Sequence, residues 1–270
     1  MAGNFKPTFW SKYCETELKA DLLLAGWCDY KYEGEIKGGA RLTIVGAVRP
    51  KIQNYKPGKD LEIEQLGDNA QYLDIDQFKA FAFEVDDVDK AQSKEGYLET
   101  QFDEAKTALA EDADKFVGTL AKNANKNMMS ESTDISSEAS PLTILDNALV
   151  KLYKNNVQTK TELAADLNPE HITLIRSKLQ SLFTDNVEYI KRGAVGKYNN
   201  CYLRMSNNLY NDGTDDYEMV RTKKAIAFAN AIEKVEKARP SKRFSDIIKG
   251  LHVYGGKVVR PKELAVMKVH

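Results

Sequence analysis

The sequence contains one sustained helical pattern that is long enough to organise a whole domain. Between residues 98 and 120 the apolar positions recur at spacings of 4, 3, 4, 4, 3 and 4, which is the period of one buried helix face. These positions are Leu98, Phe102, Ala105, Leu109, Ala113, Phe116 and Leu120. The pattern predicts a helix from about Val88 to Ala124, roughly three times the average helix length. Other elements of the fold must pack along it.

The segment that precedes this helix is rich in predicted strands but poor in large apolar residues. Pro57 and Gly58 suit the two central positions of a type II turn, so residues 56–59 are predicted to form the tip of a hairpin. Leu61 and Ile63 alternate with glutamates, which is typical of a half-exposed strand. A long hairpin with little core of its own is marginal in water. We therefore expect it to rest on another part of the fold or on another molecule.

Residues 5–30 mix aromatic side chains with no strong helix cap. Phe9, Trp10 and Trp27 would be exposed unless this segment lay on a larger surface. We therefore interpret the segment as an arm.

After the long helix the sequence predicts a mixed region of helices and strands. The polar stretch 123–141 is interpreted as a loop or hinge, and a helix is predicted at Leu142–Tyr153. Asn168 and Pro169 form a strong helix start, with a capping side chain followed by proline in the first turn. Strand candidates follow at residues 201–205, 225–229, 251–254, 257–259 and 264–269.

Charge limits the classes of protein to which the chain can belong. A length of 270 residues can bury a sizeable core, and a net charge of −1 argues against tight nucleic-acid binding by the whole protein. Residues 86–115 carry ten acidic and four basic side chains, whereas residues 221–270 carry thirteen basic and four acidic ones. Regions of opposite sign can pair within one chain or between copies, or they can be two solvated faces of a monomer.

Neither a membrane-spanning nor a secreted protein is indicated. No apolar run is long enough to span a bilayer, and the N-terminus lacks the basic-then-apolar layout of a signal peptide. Cys14, Cys28 and Cys201 show no CxxC spacing, which indicates reduced thiols in a cytoplasmic setting.

The stretch GLHVYGGKVVRP, residues 250–261, carries the clearest hint of nucleotide chemistry. Gly255, Gly256 and Lys257 resemble the end of a phosphate-binding loop. However, the spacing fails by one residue, and Val258 stands where the magnesium-binding hydroxyl belongs. We therefore interpret the stretch as two strands broken by a glycine bend, or as a strand that a neighbouring segment approaches closely.

No other residues indicate a catalytic, cofactor or metal site. None of His171, His252 and His270 has a partner at a metal-ligand spacing, and His171, in a first helical turn, is expected to decorate the surface. Paired acids within residues 74–76 and 86–89 are better explained as water-facing strand residues and as acids at a helix N-terminus than as a cation site. We predict no enzyme activity.

In their order along the chain these segments resemble the major capsid proteins of tailed bacteriophages, which have the Hong Kong 97-like fold. Residues 54–92, NYKPGKDLEIEQLGDNAQYLDIDQFKAFAFEVDDVDKAQ, resemble the family's extended hairpin, the E-loop, and the entry to its spine helix. LNPEHITLIRSKL and GAVGKYNNCYLRMSNNL resemble the axial domain. RFSDIIKGLHVYGGKVVRPKELAVMKV resembles the returning strands.

The resemblance implies an α+β fold with five parts. They are an N-terminal arm at 1–30, the E-loop hairpin at 31–76, a peripheral domain with the spine helix at 77–140, a mixed α/β axial domain at 141–239 and returning peripheral-domain strands at 240–270.

The resemblance also implies a structural virion protein whose copies form pentamers and hexamers and close into an icosahedral shell around double-stranded DNA. Contacts between copies are expected at the hairpin tip and the arm, that is at Tyr55, Lys56, Pro57, Gly58, Lys59, Phe9 and Trp10. Further expected partners are a scaffolding protein, a portal and decoration proteins, with weak non-specific contacts to packaged DNA and none to a membrane. Assembly is expected in the cytoplasm of the bacterial host.

Two departures from the family pattern refine these expectations. The chain begins directly at the arm, without a charged helical pro-segment, so we expect a separate scaffolding protein. Some relatives join their subunits by lysine–asparagine isopeptide bonds. Lys51, Lys56 or Lys59 would be the donor here, but no complete set of partners is apparent, and we predict no cross-link.

Three alternatives stay open. An encapsulin-type cellular compartment shares the fold but packages enzymes. A nucleotide-binding enzyme would use residues 255–257, and a nucleic-acid-binding module outside any shell would use residues 221–262.

Overall fold

The computed structural model describes residues 22–31, 41–46, 52, 69–87, 97–135, 141–178 and 194–270. Within these ranges the chain forms three α-helices, twelve β-strands and several short 3₁₀ turns. The helices are α1 (Tyr97–Thr119), α2 (Pro141–Lys154) and α3 (Pro169–Lys178). The strands are grouped into sheets of two, three and seven strands.

Helix α1 is the predicted spine. The prediction is confirmed over Tyr97–Thr119, and the chain continues to Asn123 as a 3₁₀ turn. The nine predicted residues before Tyr97 lie outside the described ranges. The apolar stripe faces the core as its period requires, since Phe102, Leu109 and Ala113 are all buried.

A three-stranded antiparallel sheet packs against this helix. It consists of β3 (Gln77–Asp86), β10 (Ile226–Ala238) and β11 (Ser245–Val258), with β11 in the middle. Phe81 of β3 meets Phe102 of α1 edge to face at 5.8 Å, and Ile248 of β11 is buried beside them. Alternate residues of β3 therefore face the spine helix, while Phe78 and its alternate neighbours face away from it.

The base of the predicted hairpin is a separate two-stranded ribbon. Strands β1 (Leu42–Gly46) and β2 (Asn69–Leu73) are antiparallel, with Leu42 opposite Leu73. Asp74 and Asp76, interpreted as water-facing strand residues, lie outside any strand, because the chain leaves the ribbon after Leu73 and crosses the three-stranded sheet. The predicted tip at residues 56–59 and the strand at 61–63 lie outside the described residues.

The seven-stranded sheet forms the second body of the fold. Its order is β4 (Met129–Thr133), β12 (Leu264–Val269), β9 (Asp216–Thr222), β5 (Leu163–Leu167), β7 (Cys201–Met205) and β6 (Ala194–Tyr198), with β8 (Tyr210–Asn211) also paired to β9. Helices α2 and α3 cover one face through the buried side chains Leu145, Leu149 and Ile175. The helices predicted at Leu142–Tyr153 and from Asn168-Pro169 are confirmed.

One sequence-based expectation about these sheets is wrong. Residues 129–133, expected to be loop, form the edge strand β4, because pairing with β12 needs only backbone groups and leaves polar side chains free to face water. Strand β12 pairs with β9 and β4 in the seven-stranded sheet, and β10 pairs with β11 in the three-stranded sheet. The division into peripheral and axial domains stays a prediction.

The inner end of the arm is part of the core. Leu24, Ala25 and Cys28 are fully buried against the spine helix and both larger sheets. Asp29 forms a parallel bridge to Ala227 at the edge of β10. The expectation that the arm lies on a larger surface is therefore confirmed for residues 22–30, and that surface belongs to the same chain. Phe5, Phe9, Trp10 and Tyr13 lie outside the described residues.

Candidate assembly interface

The described part of the chain contains no group of three or more His, Cys, Asp or Glu side chains placed to bind a metal ion. Cys28 and Cys201 are buried, and burial raises the pKa of both thiols, which disfavours the reactive thiolate. None of the described helices has the length and apolar character needed to cross a membrane. The candidate site is therefore sought among the surfaces through which copies of the chain could contact each other.

The glycine-rich stretch that hinted at a phosphate loop is one continuous strand. Strand β11 runs from Ser245 to Val258 without interruption, so the interpretation as two strands broken by a bend is wrong, and the alternative of a close approach is confirmed. A Cβ atom on Gly255 would lie 2.3 Å from the carbonyl oxygen of Asp74. The Lys257 amine donates a hydrogen bond to the Tyr72 carbonyl oxygen at 2.8 Å. Both contacts hold the base of the hairpin.

Gly255 and Gly256 serve opposite faces of the same strand. A Cβ atom on Gly255 would point toward the hairpin base. A Cβ atom on Gly256 would point toward the spine segment and lie 3.1 Å from Phe116 and 3.2 Å from Leu120. Because successive strand residues point to opposite faces, two adjacent glycines let two elements approach from opposite sides. Strand β11 is therefore held between the hairpin base and the spine.

Apolar packing also holds the hairpin base on the three-stranded sheet. Leu42, Ile44 and Leu73 are buried against the three-stranded sheet, in a cluster that also contains Ala229 and Val253. Burial of this kind contributes about 1.5–3 kcal/mol for each large aliphatic side chain. The expectation that the hairpin rests on another part of the fold is confirmed for its base. The base formed by β1 and β2 is thus fixed to the three-stranded sheet.

The residues predicted to contact neighbouring copies all lie outside the described ranges. These are Phe9, Trp10, Tyr55, Lys56, Pro57, Gly58 and Lys59. Lys51, considered as a cross-link donor, also lies outside them. The structure therefore places the hairpin base and the inner arm, and contact through the predicted residues stays a prediction.

Two exposed aromatic side chains were missed by sequence reasoning. Phe244, in the connection between β10 and β11, is 80% exposed, and Phe78 on the outer face of β3 is 58% exposed. Exposed aromatic side chains of this size are candidates for contact with another molecule. Phe244 had a weak signal in the sequence, because it is the single apolar residue in the polar stretch RPSKRFS.

The basic and acidic regions pair within the chain at the end of the three-stranded sheet. Arg239 forms an ion pair with Asp87, and Arg243 forms one with Glu84 at 3.2 Å. These pairs are largely exposed, so each contributes little to stability. They do, however, neutralise part of the basic segment. The charge pattern left pairing within one chain open, and these ion pairs agree with it.

The expectation that His171 decorates the surface is wrong. Its Nδ1 atom lies 2.6 Å from Glu218 Oε2, and its Nε2 atom lies 3.0 Å from the carbonyl oxygen of Pro141, all in the buried interior. Burial disfavours the charged imidazole, but the hydrogen bond and the charge of Glu218 outweigh it and raise the pKa of His171. The pair fastens the start of α3 to strand β9, a tertiary contact that helix position alone does not reveal.

The pKa of His252, which lies beneath the spine helix, is shifted downwards, opposite to that of His171. His252 is fully buried, and its Nε2 atom lies 2.5 Å from the Asn230 side-chain oxygen. Burial lowers the pKa of His252 to about 4, against a smaller opposing effect of the nearby Asp112 carboxylate. That carboxylate also accepts a hydrogen bond from Tyr254 and pairs with Lys79.

We expect His252 to make the unassembled chain sensitive to acid. Because its pKa is lowered on folding from 6.5 to about 4, its contribution to the free energy of unfolding is lost as the pH falls through that interval, by up to about 3 kcal/mol. Urea unfolding at pH 7 and pH 4.5 should show a smaller acid loss in His252→Gln than in wild type. The exposed His270 offers a matched control, His270→Gln. Equal acid loss in all three proteins would contradict the prediction.

Comparison with known proteins identifies similar structures. No protein-family model and no curated protein matches the sequence. A solved chain from Mycobacterium phage Che8 is 30% identical, covers 91% of this chain and 90% of its own length, and has a TM-score of 0.70. The capsid structure of cyanophage P-SCSP1u is 17% identical over 87% and 84%, with a TM-score of 0.65. The SrpI encapsulin of Synechococcus elongatus is 10% identical over 76% and 77%, with a TM-score of 0.58.

Proposed function

This chain belongs to the major capsid proteins of tailed bacteriophages, and we propose that its copies form pentamers and hexamers that close into an icosahedral shell around double-stranded DNA. Its role is structural, it associates with itself into capsomers, and its place is the virion capsid. The observation that carries the proposal is the 30% identity to the Che8 chain over nine-tenths of both chains. The seated hairpin base and the long spine helix support it.

Contacts between copies are proposed at the hairpin tip and the outer arm. Residues 55–59, Phe9 and Trp10 are the candidates, because both segments extend from parts of the chain that are fixed to the core. We add Phe78 and Phe244, whose exposed rings lie on the three-stranded sheet and at its end. The five-part division with boundaries at residues 30, 76, 140 and 239 stays a proposal.

Further partners follow from the proposed shell. A scaffolding protein would direct curvature, a portal would occupy one vertex, and decoration proteins would bind the outer surface. A net charge of −1 favours weak, non-specific contact with packaged DNA over tight phosphate binding. We propose assembly in the cytoplasm of the bacterial host, with no catalytic step and no cofactor.

Co-expression tests the scaffolding proposal. The full chain is produced in bacteria alone and together with a candidate scaffolding protein, and both lysates are examined by electron microscopy. We expect closed shells of one diameter with the scaffolding protein, and irregular or incomplete particles without it. Closed shells of the same single diameter from the chain alone would contradict the need for a scaffolding protein.

The encapsulin-type alternative rests on fold similarity alone, since the SrpI structure is only 10% identical. The contents of particles purified from infected or lysogenic cells separate the two functions. A shell of the proposed kind contains long double-stranded DNA that is protected from nuclease. Particles that contain a cargo enzyme and no DNA would favour the compartment instead.

A further inference from the structure

Four charged side chains from four elements meet in the interior on the face of the seven-stranded sheet that lies opposite α2 and α3. Asp166 of β5 stands opposite Arg204 of β7 in the sheet register, and Arg221 of β9 stands opposite Ala164, two positions along β5. Asp114 reaches the same place from the spine helix α1. All four are at most 3% exposed. We call Asp114, Asp166, Arg204 and Arg221 the arm seat.

The first half of the arm seat binds the backbone of the arm near Leu23. The Asp114 carboxylate accepts hydrogen bonds from the amides of Leu23 at 2.9 Å and Ala25 at 2.8 Å. The Arg204 guanidinium donates to the carbonyl oxygen of Leu23 at 2.7 Å. Leu23 lies outside regular secondary structure and Ala25 begins a short 3₁₀ turn, Ala25–Trp27, so their amides have no partner within the segment. The charged side chains supply the partners that a sheet or a longer helix would otherwise provide.

The second half of the arm seat binds the next turn. Arg221 donates to the carbonyl oxygens of Leu24 and Trp27, both at 2.6 Å, and its guanidinium also contacts the Cys28 sulfur at 3.4 Å. The Trp27 ring packs edge to face on Tyr202 at 5.6 Å and lies under the Arg204 guanidinium. Asp166 holds both guanidinium groups in position. The seat and the arm thus satisfy most of each other's buried polar groups, although Arg204 Nε and Trp27 Nε1 have no hydrogen-bond partner among the described residues.

We propose that residues 22–28 are a permanent anchor, which leaves the arm seat only when the seven-stranded sheet itself unfolds. Withdrawal of the segment would break five charge-assisted hydrogen bonds at once and leave the seat without partners in the interior. Stripping buried charged groups of their partners is among the most unfavourable changes that a fold can undergo. Any pull on the outer arm is therefore transmitted to the junction of the spine helix with the sheet. The proposal concerns the single chain and does not depend on shell formation.

Trp27 reports directly on the anchor. The chain has two tryptophans, so Trp10→Phe leaves Trp27 as the single tryptophan, whose fluorescence can be excited without exciting tyrosine. We expect the urea transition of Trp27 emission in the unassembled full chain to coincide with the loss of far-ultraviolet circular dichroism, because one event unfolds both the anchor and the sheet. Exposure of Trp27 at a clearly lower urea concentration than the loss of circular dichroism would overturn the proposal.

Hydrogen exchange tests the role of the arm seat at single amides. In the wild-type chain the amides of Leu23 and Ala25 should exchange no faster than those of β5, because both need the same global opening. In Asp114→Asn these two amides should exchange at least about tenfold faster relative to β5. Asp112→Asn is the matched control, since Asp112 lies on the same helix but binds Tyr254 and Lys79. Fast exchange of the two amides in wild type, or equal exchange in the two variants, would overturn the proposal.

Discussion

Replacement of Asp166 by alanine is expected to lower the free energy of unfolding by about 3–5 kcal/mol. The Asp166 carboxylate lies between two buried guanidinium groups, those of Arg204 and Arg221, and is within 3.1 Å of the Arg221 Nε atom. Without it, two positive charges would remain in the interior without their shared partner, and Asp114 would be the one carboxylate left in the arm seat. Because the same guanidinium groups hold the arm, the loss should loosen the arm as well. Urea unfolding of the unassembled chain at neutral pH measures the effect.

Asp74→Ala is the matched control for this prediction. Asp74 also forms an ion pair, with Arg41 at 2.5 Å, but both side chains are more than half exposed. Its removal should cost less than about 1 kcal/mol, because water replaces the lost partner. Equal losses in Asp166→Ala and Asp74→Ala would show that the buried cluster is not what joins the arm, the spine and the sheet.

Replacement of Gly255 by valine is expected to displace the hairpin base and prevent normal assembly. The added Cβ atom would lie 2.3 Å from the Asp74 carbonyl oxygen and 2.9 Å from the Ile75 Cα atom. Both are backbone atoms, so the hairpin base must move as a unit, with a cost of about 3 kcal/mol or more. Urea unfolding should show the loss of stability, and sedimentation of the assembly reaction should show loss of closed shells.

A variant of the neighbouring Gly256 tests whether the loss of stability comes from the backbone clash at Gly255 or from any side chain added to this strand. A Cβ atom on Gly256 would first meet the side chains of Phe116 and Leu120, at 3.1 and 3.2 Å, and these can shift slightly. Gly256→Ala should therefore lose less stability than Gly255→Ala, by at least about 1 kcal/mol. Similar losses of stability in the two alanine variants would contradict the close contact between Gly255 and the hairpin base.

Elements with a strong local pattern were predictable from the sequence. The apolar spacing from Leu98 to Leu120 defines the spine because one helix face must be buried whatever it packs against. The Asn168-Pro169 start of α3 is equally local, since capping and proline act within a single turn. Such signals need no knowledge of distant residues.

Features that depend on distant partners were not predictable. The arm amides bound by Asp114 are 91 and 89 residues away in the chain, and the arm carbonyl groups bound by Arg221 are 194 and 197 residues away, so no spacing rule relates them. His171 was misplaced for the same reason, because Glu218 becomes its neighbour only in the folded sheet. The adjacent glycines gave a true signal of close approach, but the sequence does not state which elements approach or that the strand continues.

The inner arm and the hairpin base share one design feature. Each is irregular or short and would be marginal alone. Buried charges fix the arm to the core, whereas the close approach at Gly255, the Lys257 hydrogen bond and an apolar cluster fix the hairpin base. A subunit that joins others through extended segments needs rigid attachment points, so that contact at the end of a segment orients the whole chain. The same contacts therefore serve both the fold and the assembly proposed here.

Electron cryomicroscopy of particles formed by the full chain tests the central claim most directly. The reconstruction should show a closed icosahedral wall built of this fold alone, in pentamers and hexamers, with the hairpin and the outer arm of each copy lying on its neighbours. A chain that stays monomeric at every concentration, with and without the scaffolding protein, would contradict the claim.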